Sequence, residues 1–567
     1  MIESSEDEEE AEEDVVDDEE ADEDIPGAFA ADLEPSELAF VASLGPEPHS
    51  YRQALMRPDA AQWTKAAEEE IEAHSQNGTW ELADLPAGRR AIGSRWVFKV
   101  KRTADGSIER YKARLVAKGF SQRPGFDFNE TFAPTARFSA IRTILALSAL
   151  EDLHLQSIDI SHAFINGDLE EEVFMEQPEG FEQGEPGQVL RLKRSLYGLK
   201  QASRMWYQKL QTVLIDIGFH CVEVDSSIYV FTRESVRIIM PVFVDDITLA
   251  SNSLDAIQSV VKELQSHFRL RDLGPTSYLL GIHITRDRPN RTLSLSQCQY
   301  ILDVLERFSM SDCKPVLTPM EPGLRLSSSM SPNSPQEVLA MKGVPYVSAV
   351  GALLYLATAT RPDIAYTVST LCRFNSNPGM EHWKAVKHLM RYIKGTVDMK
   401  LTYSPSPSRS DEPFVSYTDA DHGGDSDTAR STSGYLLCIG TGAVSWSSKL
   451  QSIVALSTTE AEFVAAVEAG KEMVWMRHLL GELGYKVKQP SVFRIDNQSA
   501  LTVAKNPEHH GRMKHLDMRY FWLRRAVSKG ILTPVYVATE EQAADALTKA
   551  LRPQLLHKCC SLMGLVR

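Results

Sequence analysis

Phe243-Val244-Asp245-Asp246 stands between two apolar runs, Ile238-Ile239-Met240-Pro241-Val242 before it and Ile247-Thr248-Leu249-Ala250 after it. β-Branched residues on both sides of a short acidic break predict a strand–turn–strand hairpin with two carboxylates at its tip. A third carboxylate, Asp159 in Ser157-Ile158-Asp159-Ile160, lies 86 residues upstream on another strand-like run. Bare like charges repel and desolvate poorly, so a tip that gathers carboxylates calls for cations. Carboxylates brought from separate strands can hold two divalent ions, which stabilise the attacking and leaving oxygens of an in-line phosphoryl displacement. An Asp-Asp doublet alone is common in solvated turns. The surrounding sequence decides.

Several blocks occur in order around it: Trp96-Val97-Phe98-Lys99, then Glu109 through Phe120, then Ala163-Phe164-Ile165-Asn166-Gly167-Asp168-Leu169, Met175-Glu176-Gln177-Pro178, and Ser195-Leu196-Tyr197-Gly198-Leu199-Lys200-Gln201-Ala202. This series resembles the reverse transcriptase of copia-type LTR retrotransposons, from about Tyr51 to about Leu551. The resemblance implies an α+β multidomain chain, a right-hand (fingers-palm-thumb) polymerase fold followed by an RNase H-like α/β domain. It implies Asp159 and Asp245 as principal magnesium ligands with Asp246 beside them, and Phe164 as the aromatic that excludes a ribose 2′-hydroxyl. Phe243 stands where the family more often has Tyr, beside the primer terminus. Gly198 and Gln201 are expected at the template and nucleotide pocket. Lys112, Arg114 and Lys118 are rival candidates for the triphosphate.

The C-terminal part repeats the carboxylate logic. Tyr417-Thr418-Asp419-Ala420-Asp421 ends a strand, and Ser433 to Ile439 and Ala443 to Ser448 are β runs joined by Gly440-Thr441-Gly442. Ser457-Thr458-Thr459-Glu460 is a capping box opening a long helix, with Glu460 reaching back to the Ser457 backbone. That leaves Glu462 free for another duty. Val492 to Ile495 is a strand ending in Asp496-Asn497, and Thr539-Glu540-Glu541-Gln542 caps a last helix carrying Asp545. The order β-β-β-α-β-α-β-α resembles the RNase H fold, and the residues resemble the family's RNase H motifs. Asp419, Glu462, Asp496 and Asp545 are then expected to hold two magnesium ions and cut the RNA of an RNA–DNA hybrid. Asp421 is the nearest rival to Asp419. His515 resembles an auxiliary family histidine. Oxygen-ligand sites of this kind accept manganese as well.

The net charge of −17 belongs to the head of the chain. Residues 1–24 hold sixteen Asp and Glu and no Lys or Arg; the remaining 61 acids face 60 bases, so the body is nearly neutral. Such a polyanion buries too little apolar area to fold. Seven scattered cysteines without paired spacing read as reduced thiols of an intracellular protein rather than a disulfide frame or zinc site. No apolar run reaches bilayer length. The expected divisions are an acidic tail at 1–48, fingers and palm at 49–314, a linker and helical thumb or connection at 315–412, the RNase H-like domain at 413–552 and a tail at 553–567. Basic residues cluster at Arg191, Lys193, Arg194, Lys200 and Arg204, and at helical spacing at Lys384, Lys387, Arg391 and Lys394.

The resemblance thus implies an RNA-directed DNA polymerase with RNase H activity. Its expected partners are an RNA template, a DNA primer strand, the RNA–DNA hybrid and deoxynucleoside triphosphates, with no membrane, in the cytoplasm, a virus-like particle or the nucleus. The expected setting is the C-terminal part of a Pol polyprotein or a gene derived from one. A catalytically silent copy that only binds nucleic acid or partners is the rival, with Pro241 in the strand feeding the hairpin as its best support.

Overall fold

The computed structural model describes residues 47–102, 107–406, 412–487, 490–505 and 522–567. Nearly all of the acidic head, the tip of the Ala104-Asp105-Gly106 turn and His515 lie outside the described residues. Helices and five sheets alternate along the chain, an α+β arrangement. Among the described residues no single helix is long and apolar enough to cross a membrane.

The acidic hairpin belongs to a six-stranded sheet. Its central strands are His154–Ile160, Asp246–Ser251 and Val236–Phe243, in that spatial order. Side chains alternate between faces along each strand. Ile158, Ile160, Met240, Val242, Ile247 and Leu249 therefore share one buried cluster, packed with Trp206, Leu210 and Leu214 of helix Ala202–Ile217 and Ile257 and Leu264 of helix Leu254–His267. Ile239, Phe243 and Ala250 face the other way, toward helix Phe138–Leu150. Asp159 and Asp246 have the parity of this second face.

Pro241 sits in an interior strand, not at an edge. The ladder between Val236–Phe243 and Asp246–Ser251 keeps one register at Phe243, Val242, Ile239 and Ile238, and lapses at Pro241 and Met240. A missing donor explains the lapse, and the neighbouring strand still pairs Ile228 with Pro241. The hairpin closes around it.

Ahead of this sheet, the antiparallel ribbon Ser94–Arg102 with Ile108–Ala117 is backed by helix Ala60–Gln76 through Trp63, Ala66 and Ala67. After it, helices Tyr346–Ala359, Ala365–Cys372 and Met380–Gly395 bury Val386, Leu389, Met390 and Ile393. Arg391 and Lys394 of the basic stripe donate to the backbone carbonyls of Lys314 and Ser311, so half that stripe fastens a loop.

The C-terminal sheet runs Gly442–Leu450, Thr432–Ile439, Val415–Ala420, Ser491–Ile495, Leu532–Tyr536, the first three antiparallel and the last two parallel additions. Helix Thr458–Glu482 crosses Val415–Ala420 and Thr432–Ile439. The segment expected as a tail, 553–567, is instead a helix, Pro553–Leu562, and a strand, Leu565–Val566. Leu556, Cys559, Cys560 and Met563 are buried at one-face helical spacing, and Leu565 pairs with Leu401. The expected last helix carrying Asp545 is a 3-10 turn, Ala543–Leu547.

Candidate functional site

Backbone pairing sets the first acidic cluster. Asp246 lies directly across from Asp159, and the Ile160 N–H donates to the Asp245 carbonyl at 3.3 Å. Arg271 flanks Asp159 on the other side. The turn needs Val244 at φ 57°, the left-handed region that a β-branched residue adopts at a cost of about 1–3 kcal/mol. Trp206 Nε1 holds it there with a 2.8 Å bond to the Val244 carbonyl. Burial, then Asp245 and Asp159, push the Asp246 carboxyl up to about 6. The charge repulsion expected from sequence is present.

Two cavities meet this tip. One, about 170 Å³, is lined by Asp159, Asp245, Lys112, Arg114, Tyr197 and Arg271, among others. Burial, followed by repulsion from Arg114 and Arg110, brings the Lys112 ammonium down to about 8, and Asp245 opposes that fall. The other, about 670 Å³, is lined by Arg114, Phe132, Phe164, Tyr197, Phe243, Asp245 and Asp246. The Arg114 guanidinium lies 4.4 Å over the Tyr197 ring, which meets Phe164 edge-on at 4.8 Å. The structure thus gathers Asp159, Asp245, Asp246, Lys112, Arg114, Phe164 and Phe243.

It puts the other three nucleotide candidates elsewhere. Gln201 is fully buried, donating to the Asp127 carbonyl and accepting from Gln122. Gly198 has φ +88°, and a Cβ there would sit 2.2 Å from the Ala117 carbonyl oxygen, so it permits a close backbone crossing. Lys118 is exposed and lines neither cavity. Sequence reasoning missed Tyr197 and Arg271. Tyr197 was inside a quoted block, flanked by the glycine that fixes its position, which was the available signal.

The second cluster forms at one end of the C-terminal sheet. Asp419 comes from the central strand, Glu462 from the second turn of helix Thr458–Glu482, Asp496 from the end of Ser491–Ile495, and Asp545 from the 3-10 turn. The capping reasoning holds with one adjustment. Ser457 Oγ accepts from the Glu460 N–H, but Glu460 reaches the N–H of Leu456 rather than Ser457. Glu462 is left to face Asp419. One ligand atom each from Asp419, Glu462 and Asp496 lies within 4.8 Å of the others. Burial, then Asp419 and Asp496, push the Glu462 carboxyl far above the carboxylate range. Asp545 is raised by burial and Asp419, to about 7. Asp421 instead accepts from the Thr432 N–H and shapes the following loop.

A family of known sequences matches residues 77–322, described as Reverse transcriptase (RNA-dependent DNA polymerase). The chain is 45% identical over 522 residues to the retrovirus-related Pol polyprotein from transposon TNT 1-94 of Nicotiana tabacum, covering 92% of this chain and 39% of that one. Against the corresponding polyprotein from transposon RE1 of Arabidopsis thaliana the identity is 39%, over 92% of this chain and 35% of the relative. The chain therefore spans well under half the length of these two relatives. The putative transposon Ty5-1 protein of Saccharomyces cerevisiae is 33% identical over 319 residues, 56% of this chain and 100% of that protein. Among solved structures, the foamy viral protease-reverse transcriptase in complex with double-stranded DNA aligns over 84% of this chain and 70% of that one, at 12% identity and a TM-score of 0.43. That likeness is too loose to position any residue. The sequence matches are not: the chain belongs to the copia-type retrotransposon Pol family, with a reverse transcriptase region at its core.

Proposed function

We propose that the chain is an RNA-directed DNA polymerase that also cuts the RNA strand of RNA–DNA hybrids, with magnesium as the metal at both carboxylate clusters. The observation that carries the first half is the pairing of Asp246 with Asp159 at the hairpin tip, beneath a cleft lined by cationic and aromatic side chains. The donor sets fit hard divalent ions: all ligands are carboxylate oxygens, and Glu462 Oε2 is buried without a hydrogen-bond partner. Bound metal supplies acidification of the attacking hydroxyl and charge neutralisation at phosphate.

The chain's own groups do the remainder. Lys112 and Arg114 face the tip from the fingers ribbon and are placed to draw in a triphosphate. Phe164, braced edge-on by Tyr197, presents its ring to the larger cavity, where the sugar of an incoming nucleotide would lie. Phe243 closes the floor beside the primer end. In the C-terminal cluster Asp419, Glu462, Asp496 and Asp545 would hold magnesium, which would neutralise charge at the hybrid's scissile phosphate, and the 2′-hydroxyls of an A-like helix offer the means of selection.

Primer extension on poly(rA) with oligo(dT), thymidine triphosphate and magnesium tests the first activity, with Asp245→Asn as control. Release of labelled fragments from an RNA–DNA hybrid tests the second, with Glu462→Gln as control. Each activity is expected in the unaltered chain and lost in its control. Silence of the unaltered chain in both assays supports the silent-copy reading instead.

A further inference from the structure

The four C-terminal carboxylates do not form one symmetrical cage. Asp419, Glu462 and Asp496 converge as one triad; Asp545 lies outside that triad but against Asp419, and one ammonium contacts both of these acids. Lys549 Nζ is 2.9 Å from Asp545 Oδ1 and 3.6 Å from Asp419 Oδ2. We propose that Lys549 is a built-in cation of this cluster, holding the place between Asp419 and Asp545 that a second divalent ion would take. The site then loads one ion unaided, and a second enters only when Lys549 withdraws. This rests on the metal-site reading above.

Local structure explains how the lysine arrives there. The 3-10 turn Ala543–Leu547 ends with the N–H groups of Thr548 and Lys549 both donating to the Asp545 carbonyl, which folds the next residues back over the carboxylate. Thr548 Oγ1 donates to Asp419 Oδ2, so two adjacent residues contact the Asp419–Asp545 pair. Close approach of this turn to the sheet depends on Gly434, directly across from Asp419, where a Cβ would meet Thr548 Cγ2 at 2.7 Å. The two carboxylates are almost fully buried, whereas the Lys549 side chain is 43% exposed. The ammonium meets both acids while the side chain as a whole stays partly open to solvent, so it can swing away by rotation about its own bonds. A divalent ion placed against Asp419 and Asp545 would be within like-charge contact of the ammonium, and each excludes the other. An ordinary surface ion pair would not have one partner shared by two buried acids. Substrate phosphate is the natural agent of withdrawal, because it offers Lys549 another anion while adding oxygen ligands for the incoming ion.

The test counts ions and does not need turnover. In the full chain carrying Asp159→Asn and Asp245→Asn, which disable the first cluster, manganese is titrated without nucleic acid and free ion is followed by its paramagnetic resonance. One equivalent is expected with Lys549 intact and with Lys549→Arg. Lys549→Met is expected to take up a second equivalent, bound about tenfold or more tightly than any second ion in the unaltered protein. Equal stoichiometry and affinity in Lys549→Met and the unaltered protein overturn the proposal while leaving the three-carboxylate cage standing. Two equivalents with Lys549 intact overturn it equally. Absence of any uptake sensitive to Glu462→Gln overturns the metal-site reading itself.

Discussion

Glu70→Gln probes how helix Ala60–Gln76 governs the turn Ala163–Asn166 that carries Phe164. Glu70 is 3% exposed on helix Ala60–Gln76, yet it carries a charge. Burial alone would raise its carboxyl. His162 and His74, with Nε2 atoms at 3.3 and 3.6 Å, outweigh that and hold it at about 2 against an ordinary 4.5. The Leu115 N–H also donates to it at 3.2 Å. At about 1.4 kcal/mol per pKa unit, this interval corresponds to roughly 3 kcal/mol of folding stability. The folded value lies below the unfolded one, so the contribution is complete above about pH 4.5 and drains away as pH falls through about 2. Glu70→Gln is expected to lower stability near neutrality by about 2–3 kcal/mol, since the amide keeps an acceptor for Leu115. Urea denaturation across pH reads the gap to the unaltered protein, which should close on the acid side. The consequence for function follows from His162, which opens the 3-10 turn Ala163–Asn166 carrying Phe164. Asn77 Nδ2 donates to the Ile165 carbonyl at 2.6 Å, and Ser195 Oγ to that of Phe164, so Glu70 is one of three anchors on this turn. Discrimination between thymidine and uridine triphosphates in primer extension should therefore fall in Glu70→Gln. Undiminished stability near neutrality, or a gap that does not change with acidification, refutes the electrostatic reasoning; intact discrimination refutes the link to Phe164.

Three further outcomes are expected. Phe164→Val should raise incorporation of uridine triphosphate about tenfold or more relative to thymidine triphosphate, measured as a ratio of kcat/KM values, because a shorter side chain opens the cavity in which the proposed reading seats the sugar. Gly198→Ala should cost several kcal/mol in denaturant unfolding, since a Cβ 2.2 Å from a carbonyl oxygen at φ +88° displaces the ribbon end at Ala117. Arg361→Met should cost about 3–5 kcal/mol in the same assay, leaving buried Asp363 without the guanidinium that lies 2.8 Å away and only Tyr392 Oη to donate to it.

What was legible in the sequence, and what was not, follows from the reach of each physical signal. The sequence showed a hairpin with carboxylates at its tip; the structure adds that alternation along the strands puts Ile158, Ile160, Ile247 and Leu249 on one face and pairs Asp159 with Asp246. Which aspartate of the doublet lies across from Asp159 depends on the register between two distant strands, which no local pattern states. The capping box is a local signal: by assigning Glu460 to the helix start, it singled out Glu462. Gly198 and Gln201 were misplaced because a motif marks a segment as important without separating the residue that contacts a ligand from the one that lets two backbones cross. The C-terminal helix was missed because its four buried positions make too short a stripe to stand out over ten residues.

Lys549 marks the boundary most clearly. In the sequence it is a basic residue four positions after a carboxylate, the spacing of an ordinary surface ion pair on a helix. Here the fold sets the same ammonium against Asp545 and also against Asp419 from a different strand. The second acid, not the first, changes what the lysine means, and nothing local predicts it. The same rule applies to Pro241, which reads as an edge residue by composition. It is tolerated inside the sheet because the acidic tip needs only the pairs at Phe243–Asp246 and Asp246–Asp159, and the lapse falls below both.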